Sequence, residues 1–217
     1  MEDQQIDPRF KHPFSGIISG ASSSGKTEWL IKLVHEAKDL ITPPPERILW
    51  YYGQYQPSYE DPRLKDVIFH QNLPEQWPME QESFAERKRT LMILDDLMSE
   101  SDKKILQIFV HGSHHWNLSC FLVLQNAFYK GRNTRTISLN AGYMVILKNP
   151  RDASQIMHLA RQMFPSNPQF LVESYRDATR RPFGYILIDL KGDTPEHARV
   201  RTNVFYEGGT QYVYVPK

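Results

Sequence analysis

Apolar positions along this 217-residue chain fall into short continuous runs, separated by stretches in which apolar side chains recur every three or four residues. The runs are "FSGIIS" (Phe14, Ile17, Ile18), "RILWYY" at 47 to 52, "VIF" at 67 to 69, "TLMIL" at 90 to 94, "SCFLVL" at 119 to 124, "YMVIL" at 143 to 147 and "YILIDL" at 185 to 190. Runs this short and this apolar on both faces predict buried strands, most of them parallel. Between them, Trp29, Leu30, Leu33, Val34 and Ala37 lie on one helical face, and Pro43, Pro44 and Pro45 stop that helix before the next strand. Further helices are predicted over 102 to 112 (Ile105, Leu106, Ile108, Phe109) and over 152 to 163 (Ile156, Leu159, Ala160, Met163), the latter with Asp152 and Gln155 spaced as a capping box. Asn167 and Pro168 read as the cap and first position of another helix, running to about Ala178. Strands alternating with helices predict an α/β fold, a mostly parallel sheet flanked by helices. The tail alternates with a period of two around Gly208 and Gly209, which predicts a C-terminal β-hairpin at a sheet edge. With no internal repeat, the expected organisation is an N-terminal extension over 1–12 and a single domain over 13–217.

The loop after the first strand changes this picture from architecture to chemistry. Gly20, Ala21, Ser22, Ser23, Ser24, Gly25, Lys26 and Thr27 satisfy G-x-x-x-x-G-K-[ST], set between a strand and an amphipathic helix as that motif requires. Glycines let the backbone curl close to phosphates, and exposed N–H groups with the helix N-terminus supply positive potential. Lys26 adds a full charge, and the Thr27 hydroxyl is a ligand for Mg²⁺. The expected ligands are a nucleoside triphosphate, ATP, and Mg²⁺.

"TLMILDDLM" ends an apolar strand in two acids at the carboxyl edge, where open α/β sheets bind ligands. Asp95 is expected to hold Mg²⁺, directly or through its water, and Asp96 to orient or deprotonate the attacking water. A pair of adjacent aspartates is also an ordinary way to begin a turn. "FLVLQNAF" ends in Gln125 and Asn126, amides able to hydrogen-bond a γ-phosphate or the lytic water, though Asn equally suits a turn. Two strand candidates separate Lys26 from Asp95, so the Gln125 strand has room to lie between the phosphate-loop strand and the acid strand. An arginine finger is the remaining ingredient, and one compact core rarely supplies it to itself. Arg132, Arg135 and Arg151 are the candidates for a finger offered to a neighbouring subunit, each equally at home on a solvated surface. Arg132 and Arg135 lead, because "GRNTR" reads as an exposed loop. His114 and His115 suggest a metal only superficially, since adjacent loop side chains diverge and no partner stands at ligand spacing.

Composition narrows the setting. At 40% hydrophobic and 24% charged the chain can bury a full core. A net charge of +1 leaves any nucleic acid to be gripped by local clusters such as Arg87, Lys88 and Arg89, not by a basic coat. The lone Cys120 rules out an intramolecular disulfide framework and fits a reducing compartment. "MEDQQIDPRF" lacks the basic start and apolar centre of a signal peptide, and no apolar run reaches membrane-spanning length, so neither secretion nor a membrane is expected.

The blocks "ILWYYGQYQPSYED", "ILDDLMSE", "GSHHWNLSCFLVLQNAF" and "RTISLNAGYMVILKNPRDASQIMHLARQMFP" resemble the DNA-packaging ATPases of polinton/Maverick elements, adintoviruses and virophages, relatives of the poxvirus packaging ATPase in the FtsK/HerA superfamily. The resemblance runs from about residue 13 to the end. It implies an additional-strand, RecA/FtsK-like P-loop NTPase core and a homo-oligomeric ring, pentamer or hexamer. It also implies ATP-driven translocation of double-stranded DNA into a preformed capsid through its vertex, in the host nucleus, a viral factory or the virion. Gly20 to Thr27 match that family's phosphate loop, Asp95 and Asp96 its acidic strand end, and Gln125 its sensor. The Asp-Asp pair departs from the Asp-Glu form of the wider superfamily. Competing classes are a nucleotide or nucleoside kinase, for which only Arg180 with Arg181 suggests a lid, another FtsK/HerA-like DNA translocase, and a scaffold keeping a relic loop. No Asn-Lys-x-Asp or Thr-Lys-x-Asp is present to read a guanine.

Overall fold

The computed structural model of the chain describes residues 7–73, 88–97, 102–109, 116–126, 132–150, 153–205 and 210–216. Among these, the main-sheet strands in chain order are β2 (Ser15–Ser19), β4 (Arg47–Tyr52), β5 (Val67–Gln71), β6 (Thr90–Asp95), β7 (Leu118–Leu124), β8 (Tyr143–Leu147), β9 (Tyr185–Asp189), β10 (Val200–Thr202) and β11 (Tyr212–Tyr214). Two short strands, β1 (Phe10–Lys11) and β3 (Ile41–Thr42), pair in parallel apart from it. The sheet order is β11-β10-β9-β8-β2-β7-β6-β4-β5. From β8 to β5 every pairing is parallel, and from β8 to β11 every pairing is antiparallel.

The continuous apolar runs are explained by two cores, one on each face. Along each strand alternate residues point to opposite faces. Ile17, Met92, Leu94, Leu122, Leu124, Met144 and Ile146 go to one core, and Ile18, Leu91, Ile93, Phe121, Val123, Val145 and Leu147 to the other. The first core is closed by α3 (Asp102–Gln107), α4 (Arg132–Leu139), α5 (Ala153–Met163) and α6 (Pro168–Ala178), through residues such as Ile105, Ile137, Ile156 and Leu171. The second is closed by α1 (Lys26–His35), which buries Trp29, Leu30, Ile31, Leu33 and Val34, and by α2 (Ala37–Leu40). Phe10, Phe14, Trp29, Phe121 and Tyr143 pack edge to face there, with ring centroids 4.9 to 6.4 Å apart. Phe10 falls in the stretch expected to precede the domain, and it is 2% exposed.

The sheet is mostly parallel, as expected, with a reversal at one strand that the runs do not announce, and two expectations after it need correction. The YILID run is as apolar as its neighbours, yet β9 runs antiparallel to β8, pairing Leu147 with Tyr185 and Tyr143 with Asp189. An apolar run reports burial on both faces and carries no sign of direction. Here two packed helices, α5 and α6, lie between the strands, and a pair of helices returns the chain to the end it left. First, Pro168 opens α6 as expected, but the Asn167 side chain makes no capping bond. The backbone carbonyl of Asn167 instead accepts from Phe170 N–H at 3.2 Å. Second, Arg132–Arg135 is not a loop: it opens α4, because Ile137, fully buried, anchors that helix against the core. Asp152 of the expected capping box and the Gly208–Gly209 turn lie outside the described residues, but the hairpin they imply is present as the antiparallel pair β10 and β11, with β11 at the sheet edge. Among the described residues, no helix is long and apolar enough to cross a membrane.

Candidate functional site

The strand order puts the chemistry in one place. β2, β7 and β6 are consecutive and parallel, so the loop after Ser19, the amides after Leu124 and the acids at Asp95 and Asp96 all emerge at the same edge. The Gln125 strand does lie between the phosphate-loop strand and the acid strand. Gly20 N–H donates to Leu124 carbonyl at 3.3 Å, which sets Gln125, solvent-exposed, beside the loop's first glycine.

The loop is fixed by its own backbone and by the strands on either side of it. Ser23 and Gly25 both take left-handed backbone, with φ of 61° and 101°. A Cβ on Gly20 would stand 2.5 Å from Ser24 Oγ and 2.9 Å from Leu147 Cβ, so any larger residue there would force the loop or β8 to shift. Lys26 opens α1 and folds back, its ammonium donating to the carbonyls of Gly20 at 2.7 Å and Ala21 at 2.9 Å. Burial holds Lys26 below its ordinary pKa, while the charges of Asp95 and Asp96 oppose that shift. The three charges therefore share one site. Ser19 Oγ and Ser24 Oγ are buried at the loop with no hydrogen-bond partner among the described residues. Such orphaned polar atoms suit a ligand rich in acceptors.

Asp95 is 4% exposed, and burial pushes its carboxyl above the usual carboxylate range. The Tyr59 hydroxyl, which donates to Asp95 Oδ2 at 2.9 Å, and the Lys26 charge pull it back, whereas the Asp96 charge adds to the rise. Asp96 is exposed and left-handed, with φ of 56°. Its backbone carbonyl lies so close to Gly53 that a Cβ on that glycine would collide with it. Gly53 N–H in turn donates to the Asp95 carbonyl at 3.0 Å. The buried Asp95 carboxylate and the Thr27 hydroxyl are hard oxygen donors of the kind Mg²⁺ takes.

Sequence reasoning missed the segment that completes this corner. After β4 the chain makes two tight turns, Pro57–Glu60 and Pro62–Leu64, the second packed on α1. Arg63 holds it there, bonding Glu28 of α1 at 3.1 Å and Asp61 at 2.8 Å. Tyr59 is thereby set on Asp95 among Trp50, Tyr52 and Phe69, and Gln56 receives a long hydrogen bond from Thr27 Oγ1 at 3.4 Å. The only sequence signal was the density of aromatic and amide residues in "YYGQYQPSYE". Of the arginine candidates, Arg132 and Arg135 fall in α4, and Arg151 lies outside the described residues, as do His114 and His115. Arg89 sits at the opposite edge of the sheet, engaged with Pro44 carbonyl at 2.8 Å and Glu46 at 3.5 Å.

A glycine-rich phosphate loop on β2, an acid-tipped β6 and an extra strand between them define a P-loop NTPase fold of the additional-strand type. No family model and no curated protein matches the chain. Among solved structures, it is similar to the genome packaging NTPase B204 from Sulfolobus turreted icosahedral virus 2, in complex with ATP-gammaS, at 12% identity and a TM-score of 0.46, over 97% of this chain and 99% of that one. It is also similar to the Legionella pneumophila ATPase DotB, at 12% identity and a TM-score of 0.36, over 78% of this chain and 53% of that one. The fold class rests on the strand order and the loop, not on these scores.

Proposed function

We propose that the chain is an ATP hydrolase that works as a ring-shaped motor, translocating double-stranded viral DNA into a preformed capsid. The observation that carries the hydrolase is the convergence of Lys26, Asp95, Asp96 and Gln125 at the ends of three adjacent parallel strands. The packaging role is supported by the resemblance of the four sequence blocks to packaging ATPases. Residues 20 to 27 cradle the phosphates, with Lys26 leaving its own loop carbonyls to touch the transferring group. Thr27 and Asp95 would hold Mg²⁺, which when bound neutralises phosphate charge. Asp96 accepts the proton of the attacking water, and Gln125 orients that water and senses the γ-phosphate. An arginine of the next subunit, from α4 or at Arg151, completes the site.

The test is ATP turnover with and without double-stranded DNA. DNA should stimulate hydrolysis, and DNA binding should weaken steeply with salt and show little sequence preference, since a motor moving along any sequence holds phosphates and not base edges. A nucleoside acceptor that is phosphorylated, with no response to DNA, would assign the chain to the kinases instead. A salt-insensitive, sequence-specific complex would count against translocation.

A further inference from the structure

The phosphate loop has two flanks, and the proposed hydrolysis uses only one. β7 and β6 lie on one side of β2, and β8 and β9 on the other. With Asp95, Asp96 and Gln125 on the first flank, the terminal phosphate of a bound nucleoside triphosphate points that way, and its base must leave toward the second. On that side the chain enters β9 through a four-residue turn, closed by Gly184 N–H donating to Arg181 carbonyl at 3.1 Å. Phe183 is third in the turn, with φ of 60°, in a position that ordinarily calls for Gly or Asn. Phe183 stays 68% exposed, so burial does not offset the backbone strain. Gly184 pins the turn from behind, since a Cβ there would collide with Ala178 carbonyl. The ring instead faces the phosphate loop: a Cβ on Gly25 would stand 3.0 Å from Phe183 Cδ1 and 3.4 Å from its Cβ. A bulky aromatic held strained and exposed against a ligand loop fits a contact made only when the ligand is there.

We infer that Phe183 is the nucleobase platform of this site, its ring stacking on the base of a nucleoside triphosphate whose phosphates lie in the 20–27 loop. The inference rests on the nucleotide reading of that loop. Stacking on an aromatic face tolerates any base and favours the larger purines, so the site gains affinity here without guanine-specific hydrogen bonds.

The experiment measures binding of two probes, a non-hydrolysable ATP analogue and inorganic tripolyphosphate, both with Mg²⁺, to the wild-type chain and to Phe183→Ala, Phe183→Trp and Phe183→Gly. The Ala and Gly variants should bind the analogue about tenfold or more weakly, while tripolyphosphate, which has no base, binds all four proteins alike. Phe183→Trp should retain analogue affinity. Phe183→Gly should melt higher than wild type, because a positive φ costs glycine nothing, which separates the binding loss from misfolding. Unchanged analogue binding by Phe183→Ala overturns the inference, and so does an equal loss of tripolyphosphate, which would make Phe183 a prop for the loop. A wild-type chain that binds neither probe overturns the nucleotide reading itself.

Discussion

On its β6 and β7 side the phosphate loop meets carboxylates, amides and a tyrosine hydroxyl, whereas on its β8 and β9 side it meets Leu147 and the ring of Phe183. The difference follows from what each end of a nucleoside triphosphate needs. Charge that develops on a transferring phosphoryl group is stabilised by fixed charges and donors. A base needs only a flat apolar face and room to lie on it. The first side is costly to build, since Asp95 is buried and Asp96 is left-handed, and a dedicated segment anchored by Arg63 supports it. The second side costs one strained residue.

Substitutions that break this contrast should rank by how directly they touch the transferring phosphate. Lys26→Ala disables the loop that both flanks share, and should lower turnover by ~10³-fold or more in a protein that still folds. Wild-type turnover in that folded variant would refute the site. Removing both Arg132 and Arg135 should cost about 10³-fold, the scale of an arginine finger. Mixing that double variant with Lys26→Ala should restore turnover above either alone, because some interfaces in mixed rings have both parts intact. A fully active double variant would leave Arg151 as the finger. Asp96→Asn breaks only the β6 flank: hydrolysis should fall ~10²- to 10⁴-fold while ATP affinity holds. If affinity falls instead, Asp96 is a metal ligand.

Gly53→Ala sharpens the same flank without touching a reacting group. Its Cβ would drive against the Asp96 carbonyl and misplace the acid, for an expected loss of about 10²-fold in kcat with little change in KM. The smallest effect is on stability. Burial holds Asp95 above its ordinary pKa, so between the ordinary and raised values the native state keeps a proton that the unfolded chain has released. Stability contributed by that proton falls as pH rises through the raised value, and the neutral-pH fold carries a buried charge. Asp95→Asn removes that charge and keeps an acceptor for Tyr59. It should raise Tm at pH 7 by a few degrees, lose that advantage in acid where the carboxyl is neutral in both states, and weaken Mg²⁺-dependent nucleotide binding.

The parts legible in the sequence were those encoded by neighbours along the chain. Strand bounds at Arg47–Tyr52 and Tyr143–Leu147 follow from apolar runs, and the loop at 20 to 27 follows from spacing. The place of β7 between β2 and β6 was left open by the sequence, which showed only that strands separate Lys26 from Asp95 and leave room for it. Strand direction was not readable at β9, since Ile186 and Leu187 are buried whichever way the strand runs. The Tyr59–Asp95 hydrogen bond joins residues 36 positions apart, and no local pattern records it. Phe183 left a faint local trace, an aromatic in a Pro-Phe-Gly turn where glycine would be relaxed, but its meaning depends on Gly25, far away in sequence. GRNTR misled because its polar composition gives no sign of the buried Ile137, two residues further on, that holds the helix Arg132 opens.

The claim on which the rest depends is that hydrolysis belongs to the assembled ring and not to the single chain. ATP turnover per subunit, measured across a dilution series in the same samples as solution mass and with double-stranded DNA present, tests it directly. The account predicts turnover that rises as monomers give way to assemblies and collapses on dilution. Monomers that hydrolyse ATP as fast per subunit as assemblies would contradict it.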